Sequence, residues 1–297
     1  VRVFGDCPLL TSGFESEKQE DMYPSRTAAS EVYAQVETDI EEALRLMPAS
    51  SKLLHKASPA AINMLRTEYY LWKAKRLGGG NAALSTAQSS VDAVLKAGYA
   101  LLPTFADIFN LNNEANSELI WTLPYIVNEN VTPETSPNFF AYYLAPNGDR
   151  TRLREAGYTE DEVPAGSHAQ YVVPTQAYCD FLAEDARDTR TDVSVRVFED
   201  KFLTEEVQIK RMVVKFKGSF ANDTRSFDSD VPVYRLAEAY LLKAEVENAL
   251  GNTDAALQNL NVVAKRAYGV DNYYTARTQD AIDNAIISEI LKEFVAE

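Results

Sequence analysis

A chain of 297 residues with 46% hydrophobic and 25% charged residues has enough apolar side chain for a packed core, in one large or two small domains, which excludes wholesale disorder. Its 44 acidic against 29 basic residues give a net charge of −15, which argues against a nucleic-acid groove or an anionic membrane surface as the main partner. With two histidines and two cysteines there is almost no material for a His/Cys metal site, and no cofactor or metal is expected.

The opening VRVFGDCPLL lacks a basic region followed by an apolar one, so it does not read as a signal peptide. No apolar run is long enough to span a bilayer. The chain begins without Met and stops at KEFVAE inside a helical pattern, so both ends read as cuts in a longer protein. Cys7 and Cys179 carry no spacing that predicts a pair.

Residues 1–24 have no clear period. From Thr27, Val32, Val36, Ile40, Ala43, Leu44 and Met47 recur at helical spacing until Pro48. Ser58-Pro59 supplies a cap and a first-turn proline for the next helix, which runs to Gly78-Gly79-Gly80. Those glycines lack the Lys-Ser/Thr of a phosphate loop and read as a helix stop. Asn81 opens another helix, stopped at Gly98, with Leu84, Ala87, Val91, Val94 and Leu95 inward.

Leu119 to Leu123 has strand character. Residues 128–174 are rich in proline and aromatics and read as one long functional loop. A helix follows from Pro174 to Leu182, then strands at Val193–Phe198 and Val207–Phe216. Gly218 to Asp230 reads as a polar loop, and a last helix starts at Thr278 with Ile282, Ile286, Ile290 and Phe294 inward.

The most regular stretch is Val231 to Ala267, read as two helices across a Gly251-Asn252 turn. Ala237, Tyr240, Leu241, Ala244 and Asn248 face Ala256, Leu257, Leu260, Ala264 and Ala267. Gly251 suits a left-handed stop and Thr253 a cap for the second helix. Facing alanines allow the close approach of a tetratricopeptide-type hairpin, a unit of about 34 residues. Residues 59–98 form a similar hairpin, and roughly 130 residues of different character between the two argue against an ordinary contiguous solenoid.

Four segments together resemble the SusD/RagB family, the surface glycan- and nutrient-binding lipoproteins of Bacteroidota. They are VETDIEEALRLMP, then SPAAINMLRTEYYLWKAK with the later YALLPTFADIFNLNNEANSELIWTLPY, then VVPTQAYCDFLAEDARDTRTDVSV. The fourth is DVPVYRLAEAYLLKAEVENALGNTDAALQNLNVVAKRA, which includes Arg235, Ala237, Glu238, Leu241, Ala244 and Glu245. The resemblance implies a mainly α fold in which tetratricopeptide-like hairpins form a scaffold for long irregular loops and a few short strands. It implies one domain over 1–297, with helical scaffold at 27–98, a loop-rich ligand-binding part at 99–230 and a helical hairpin plus final helix at 231–297.

A glycan binder needs aromatic faces for the apolar sides of sugar rings and polar side chains for their hydroxyls. The loop around residues 128–158 offers Phe139, Phe140, Tyr142, Tyr143 and Tyr158 beside Asn138, Asn147, Asp149, Arg150 and Arg152. Tyrosine suits a half-wet site because its ring is apolar and its hydroxyl is not. The competing reading is that these aromatics pack the loop onto the core, more so for the phenylalanines. Acidic pairs are too abundant to single out a glycosidase pair, and Asp188 and Arg190 read as structural ion partners.

The resulting expectation is a non-enzymatic protein that binds an oligosaccharide or other nutrient. By resemblance it sits on the outward face of the outer membrane, through a lipid anchor absent from this chain, and passes its ligand to a SusC-like TonB-dependent transporter. A protein-binding tetratricopeptide scaffold without a small-molecule ligand is the rival, and a carbohydrate hydrolase a third reading.

Overall fold

The computed structural model describes residues 1–13, 23–48, 53–127, 129, 144–145, 149–166, 169–200 and 207–297. They fall into two compact units, Val1–Lys52 and Leu53–Glu297. In the first, helix α1 (Ala29–Leu46) buries Val32 and Ile40. Ala28 supplies no capping side chain; instead Asp6 Oδ1 accepts from the Ala29 amide at 2.9 Å, placing a carboxylate at the positive end of the helix. Cys7 and Thr27 form a β-bridge beside it, and Cys7 and Cys179 are free thiols.

The second unit is built on five helices: α2 (Pro59–Arg76), α3 (Gly80–Leu95), α7 (Leu236–Ala249), α8 (Thr253–Tyr268) and α9 (Gln279–Glu293). Ser58 Oγ caps α2 by accepting from the Ala61 amide at 3.2 Å. α2 packs on α3, α3 on α7, and α7 on both α8 and α9. The two hairpins distant in sequence are therefore neighbours in space. Between them Met64, Val91, Val94, Ile120, Leu236 and Ala239 form one apolar cluster. Ala237, Ala244, Ala256 and Ala264 are fully buried, which lets the α7–α8 backbones approach closely. The fold is mainly helical and tetratricopeptide-like, as the helical periods suggested.

Three two-stranded antiparallel sheets flank the helices. β1 (Leu119–Leu123) pairs with β6 (Val231–Arg235), β2 (Val195–Asp200) with β3 (Gln208–Val213), and β4 (Ser219–Ala221) with β5 (Thr224–Ser226). Short helices α4 (Arg150–Glu155), α5 (Gln176–Leu182) and α6 (Thr191–Ser194) precede β2.

Five readings of the sequence are corrected. Val231–Arg235 is strand β6, so α7 starts at Leu236; Pro232 fits an extended segment. Gly218–Asp230 is largely a hairpin, because Asn222 and Asp223 take φ of 51° and 59°, the paired left-handed residues of a tight β-turn. Part of the long loop is helix α4. Thr253 is the first residue of α8 and not its cap, and the Asn252 side chain turns back to Glu247 at 2.6 Å. Ile290 is exposed, whereas Glu289, Lys292 and Glu293 are buried with Ile282 and Ile286.

That last reversal exposes the centre of the unit. Arg235, at the end of β6, donates to Glu293 at 2.6 Å, Glu118 at 3.2 Å and Glu297 at 2.7 Å. Arg266 of α8 holds Glu118 at 2.7 Å and also bonds Glu293. Arg190 holds Asp188 at 2.7 Å, Glu289 at 2.7 Å and Glu293 at 3.1 Å. Burial alone would push the Glu293 carboxyl up, but Arg266, Arg235 and Arg190 outweigh it and hold it well below the usual carboxylate range. Lys215 behaves oppositely: burial pulls it down to about 8, against the pull of Glu297.

Replacing Arg235 with Met should destabilise by about 3–5 kcal/mol, because it strands buried carboxylates without a partner; urea denaturation measures this. A second carboxylate gives the opposite sign. Burial, reinforced by the charge of Glu68, raises the Glu238 carboxyl well above its ordinary value. The unfolded chain ionises this group first as pH rises past 4.5, so folding stability is lost above that pH. Glu238→Gln should therefore raise Tm at pH 7 and leave it nearly unchanged at pH 4, read by thermal melts at both.

Candidate functional site

Away from the helical stack, a second apolar cluster holds the loop-borne surface. Leu144, Leu153, Val163, Phe198, Met212, Val214, Phe216 and Phe227 form it, with Phe109 and Tyr158 half-buried at its edge. On β2, Phe198 points into this cluster, and Arg196 lies on the same strand face two residues away.

Two open clefts flank the turn at residues 158–163. One, about 860 Å³, is lined by Asp107, Phe109, Asn110, Asp161, Lys217 and Phe220, among others. The other, about 510 Å³, is lined by Tyr158, Glu162, Val163, Val197, Glu199 and Ile209. Arg196 stands in the wall of both.

The wall of the larger cleft is set by one carboxylate. Glu160 accepts from Arg150 Nε at 2.7 Å and from Arg225 Nη2 at 2.8 Å. Both guanidiniums also donate to the Ala165 carbonyl, at 3.1 and 3.0 Å. Arg150 reaches on to the Asp223 carbonyl, and Arg154 to the Asp223 carboxylate at 2.7 Å, so α4 grips the tip of the β4–β5 hairpin. Phe220 lies under Arg150, Arg154 and Arg225, 5.0 to 5.7 Å from each.

The remaining carboxylates here are also engaged. Asp161 meets Lys217 at 2.8 Å, and that hydrogen bond lowers its pKa. Glu162 is lowered by the Thr159 amide and hydroxyl, at 2.9 and 2.8 Å. Asp228 accepts from Ser219 amide and hydroxyl, each at 2.7 Å. Among the described residues no group of three or more His, Cys, Asp or Glu is placed to hold a metal ion.

Of the residues singled out from sequence, Tyr158 lines the smaller cleft. Its ring meets Phe198 edge-on at 5.8 Å and its hydroxyl donates to the Glu199 carbonyl at 3.2 Å. Arg150 is consumed by the Glu160 clamp. Arg152 pairs with Asp149 within the first turn of α4, away from both lining sets. Phe139, Phe140, Tyr142, Tyr143, Asn138 and Asn147 lie outside the described residues. Arg196, Phe220 and Arg225 were not foreseen. The Asn-Asp pair at 222–223 was the available signal for the hairpin that presents Phe220.

Fold and clefts together define a helical scaffold protein whose loops and short strands carry two open clefts. Residues 198–297 match the SusD family model. A SusD-like protein of Formosa agariphila is 25% identical over 330 residues, covering 100% of this chain and 58% of its own length. Among solved structures, NanU of B. fragilis is 25% identical with a TM-score of 0.76, over 92% of this chain and 61% of its own. A SusD superfamily protein of Bacteroides fragilis (26% identity, TM-score 0.77) spans 98% of this chain and 62% of its own. One from Bacteroides vulgatus (27% identity, TM-score 0.75) spans 91% of this chain and 62% of its own. The last hundred residues thus match the SusD family model, and the chain is similar along its length to SusD-like proteins, spanning about three fifths of the length of these relatives.

Gly218 fixes the larger cleft's edge. With φ +65°, an added Cβ would fall 1.9 Å from the Ser226 carbonyl oxygen, which is backbone and has no rotamer to yield. At Gly251, φ is +82° but the space is open. Gly218→Ala should therefore cost more than about 3 kcal/mol, and Gly251→Ala only about 1–2 kcal/mol, by urea denaturation of both variants.

Proposed function

We propose that this chain binds carbohydrate without transforming it, using the two clefts around the 158–163 turn. The observation that supports this most directly is the pairing of a half-exposed aromatic ring, Tyr158, with polar groups on the same wall, Arg196, Glu162 and Glu199. A sugar offers C–H faces to the ring and hydroxyls to the polar groups, and tyrosine serves such mixed surfaces. Its relatives support the same reading, since one neighbouring structure from Bacteroides vulgatus is described as a putative sugar binding protein.

The absence of turnover is supported by the cleft's acids. A glycosidase needs one carboxylic acid kept protonated near neutrality beside an ionised partner. Glu160 is tied to two arginines, and Asp161 and Glu162 are shifted down, not up.

By its likeness to SusD-like proteins, we place the whole protein at the outer-membrane surface as a lipoprotein that delivers its ligand to a SusC-like TonB-dependent transporter. No helix among the described residues is long and apolar enough to cross a membrane, which accords with attachment by other means.

A glycan array followed by isothermal titration tests the binding. At least one oligosaccharide class should bind, and Tyr158→Ala should weaken it about tenfold, equivalent to about 1.4 kcal/mol. Tyr171→Ala, an exposed tyrosine that lines neither cleft, should leave it unchanged. Capture of a protein partner with no glycan bound anywhere on the array would favour the scaffold reading, and new reducing ends would favour a hydrolase.

A further inference from the structure

Arg196 differs from every other arginine of this surface. Arg150 and Arg225 each make several hydrogen bonds to carboxylate and carbonyl oxygens, and Arg154 is bonded to Asp223. Arg196 makes none among the described residues. Its nearest anion, Asp192, stands 4.0 Å away with 89% of its side chain exposed, and its Nε is buried without a hydrogen-bond partner. A buried N–H left without an acceptor is costly, and such a group is an exception that asks for a reason. Its location supplies one, because Arg196 belongs to the walls of both clefts.

Each cleft falls within the range of about 300–1,000 Å³ that takes one compact ligand. The 158–163 turn contributes alternately to the two: Tyr158, Glu162 and Val163 to the smaller, Thr159, Glu160 and Asp161 to the larger. Each cleft also has its own aromatic surface, Tyr158 in one and Phe109 with Phe220 in the other. Two aromatic-walled clefts meeting at one partly exposed guanidinium that makes no hydrogen bond among the described residues suit a ligand long enough to enter both.

Resting on the carbohydrate reading above, we infer that the two clefts are subsites for one extended, uncharged oligosaccharide. Arg196 is its specificity-determining residue, donating to sugar oxygens where the chain passes from one cleft to the other. The charge follows from the surroundings. Glu162 and Glu199 outnumber Arg196 in the smaller cleft, and in the larger one five carboxylates outnumber Arg196, Lys215, Lys217 and Arg225, so both walls carry a small excess of negative charge that favours a neutral glycan over a uronic acid.

The probes are the di- to hexasaccharides of the array's strongest neutral binder, titrated calorimetrically into wild type, Arg196→Ala and Arg196→Lys, with circular dichroism melts confirming folding. Wild type should bind the hexasaccharide at least about tenfold tighter than the disaccharide, since the second subsite adds contact without a second association cost. Arg196→Ala should weaken the hexasaccharide several-fold more than the disaccharide and so lose most of the length gain, and Arg196→Lys should restore only part of it, lacking the planar fork. A gain that survives in Arg196→Ala, equal weakening at every length, or length-independent binding by wild type would each overturn the inference while carbohydrate binding stands. So would a preference for the uronic-acid analogue of the same oligosaccharide. Failure of every array glycan would remove the binding reading itself and this inference with it.

Discussion

The second unit depends on a buried ionic knot that ties together segments distant in sequence. Glu118 precedes β1, Arg190 lies at the start of α6, Arg235 closes β6, Arg266 belongs to α8, and Glu289 and Glu293 to α9. Taking each charge out of water costs several kcal/mol, so the knot is not an efficient source of stability compared with apolar packing. Its effect is on uniqueness. Glu118 meets both Arg235 and Arg266 only when β1, β6 and α8 are all in register, and any slip leaves a charge buried without a partner. Around it, Tyr268 and Tyr274 donate to Glu289 at 3.0 and 2.7 Å, Arg235 lies 4.2 Å from the Phe294 ring, and Leu102 donates its amide to Glu118. The carboxylates of the centre thereby gain several donors each, as the low local dielectric demands, although the Arg266 Nε stays buried without an acceptor.

This construction explains what the sequence could convey. Helical periods located α2, α3, α8 and most of α7, because their buried faces are alanine, leucine and valine at regular spacing. The same rule placed Ile282 and Ile286 inward but failed at Ile290 in the last turns of α9, where Glu289, Lys292 and Glu293 take the inward positions and Ile287, Ile290 and Leu291 face outward. A period of apolar residues does not register a face buried as charge. Asp188 and Arg190 were readable as structural partners from their local spacing, but the pairing of Arg190 with Glu289, about a hundred residues away, has no local signature. β6 was lost inside a helical pattern because Val231–Arg235 runs straight into α7 with no turn residue between them, and strand pairing with β1 is a non-local contact.

The site was less legible than the scaffold, for a related reason. Aromatic and polar richness pointed to the loop before residue 158, and Tyr158 does line a cleft. Sequence alone did not separate an arginine that holds the wall from one left unfilled. Arg150, Arg154 and Arg196 look equivalent as letters. Their difference lies in whether Glu160 and Asp223 fall within reach, which depends on a hairpin turn 70 residues further on.

That distinction also says how the surface is made. Arg150 and Arg225 neutralise Glu160 and satisfy the Ala165, Lys217 and Asp223 carbonyls, so a segment that would otherwise expose unpaired backbone is fixed in place. Binding affinity depends heavily on how little must be ordered when the ligand arrives. A wall whose cations are already spent on its own carbonyls and carboxylate has little left to reorganise. The ionic knot fixes the helices and the Glu160 clamp fixes the cleft by one physical device, a buried carboxylate held by several arginines. Arg196 stands out on the cleft wall because, among the described residues, its side chain makes no hydrogen bond and its Nε is buried.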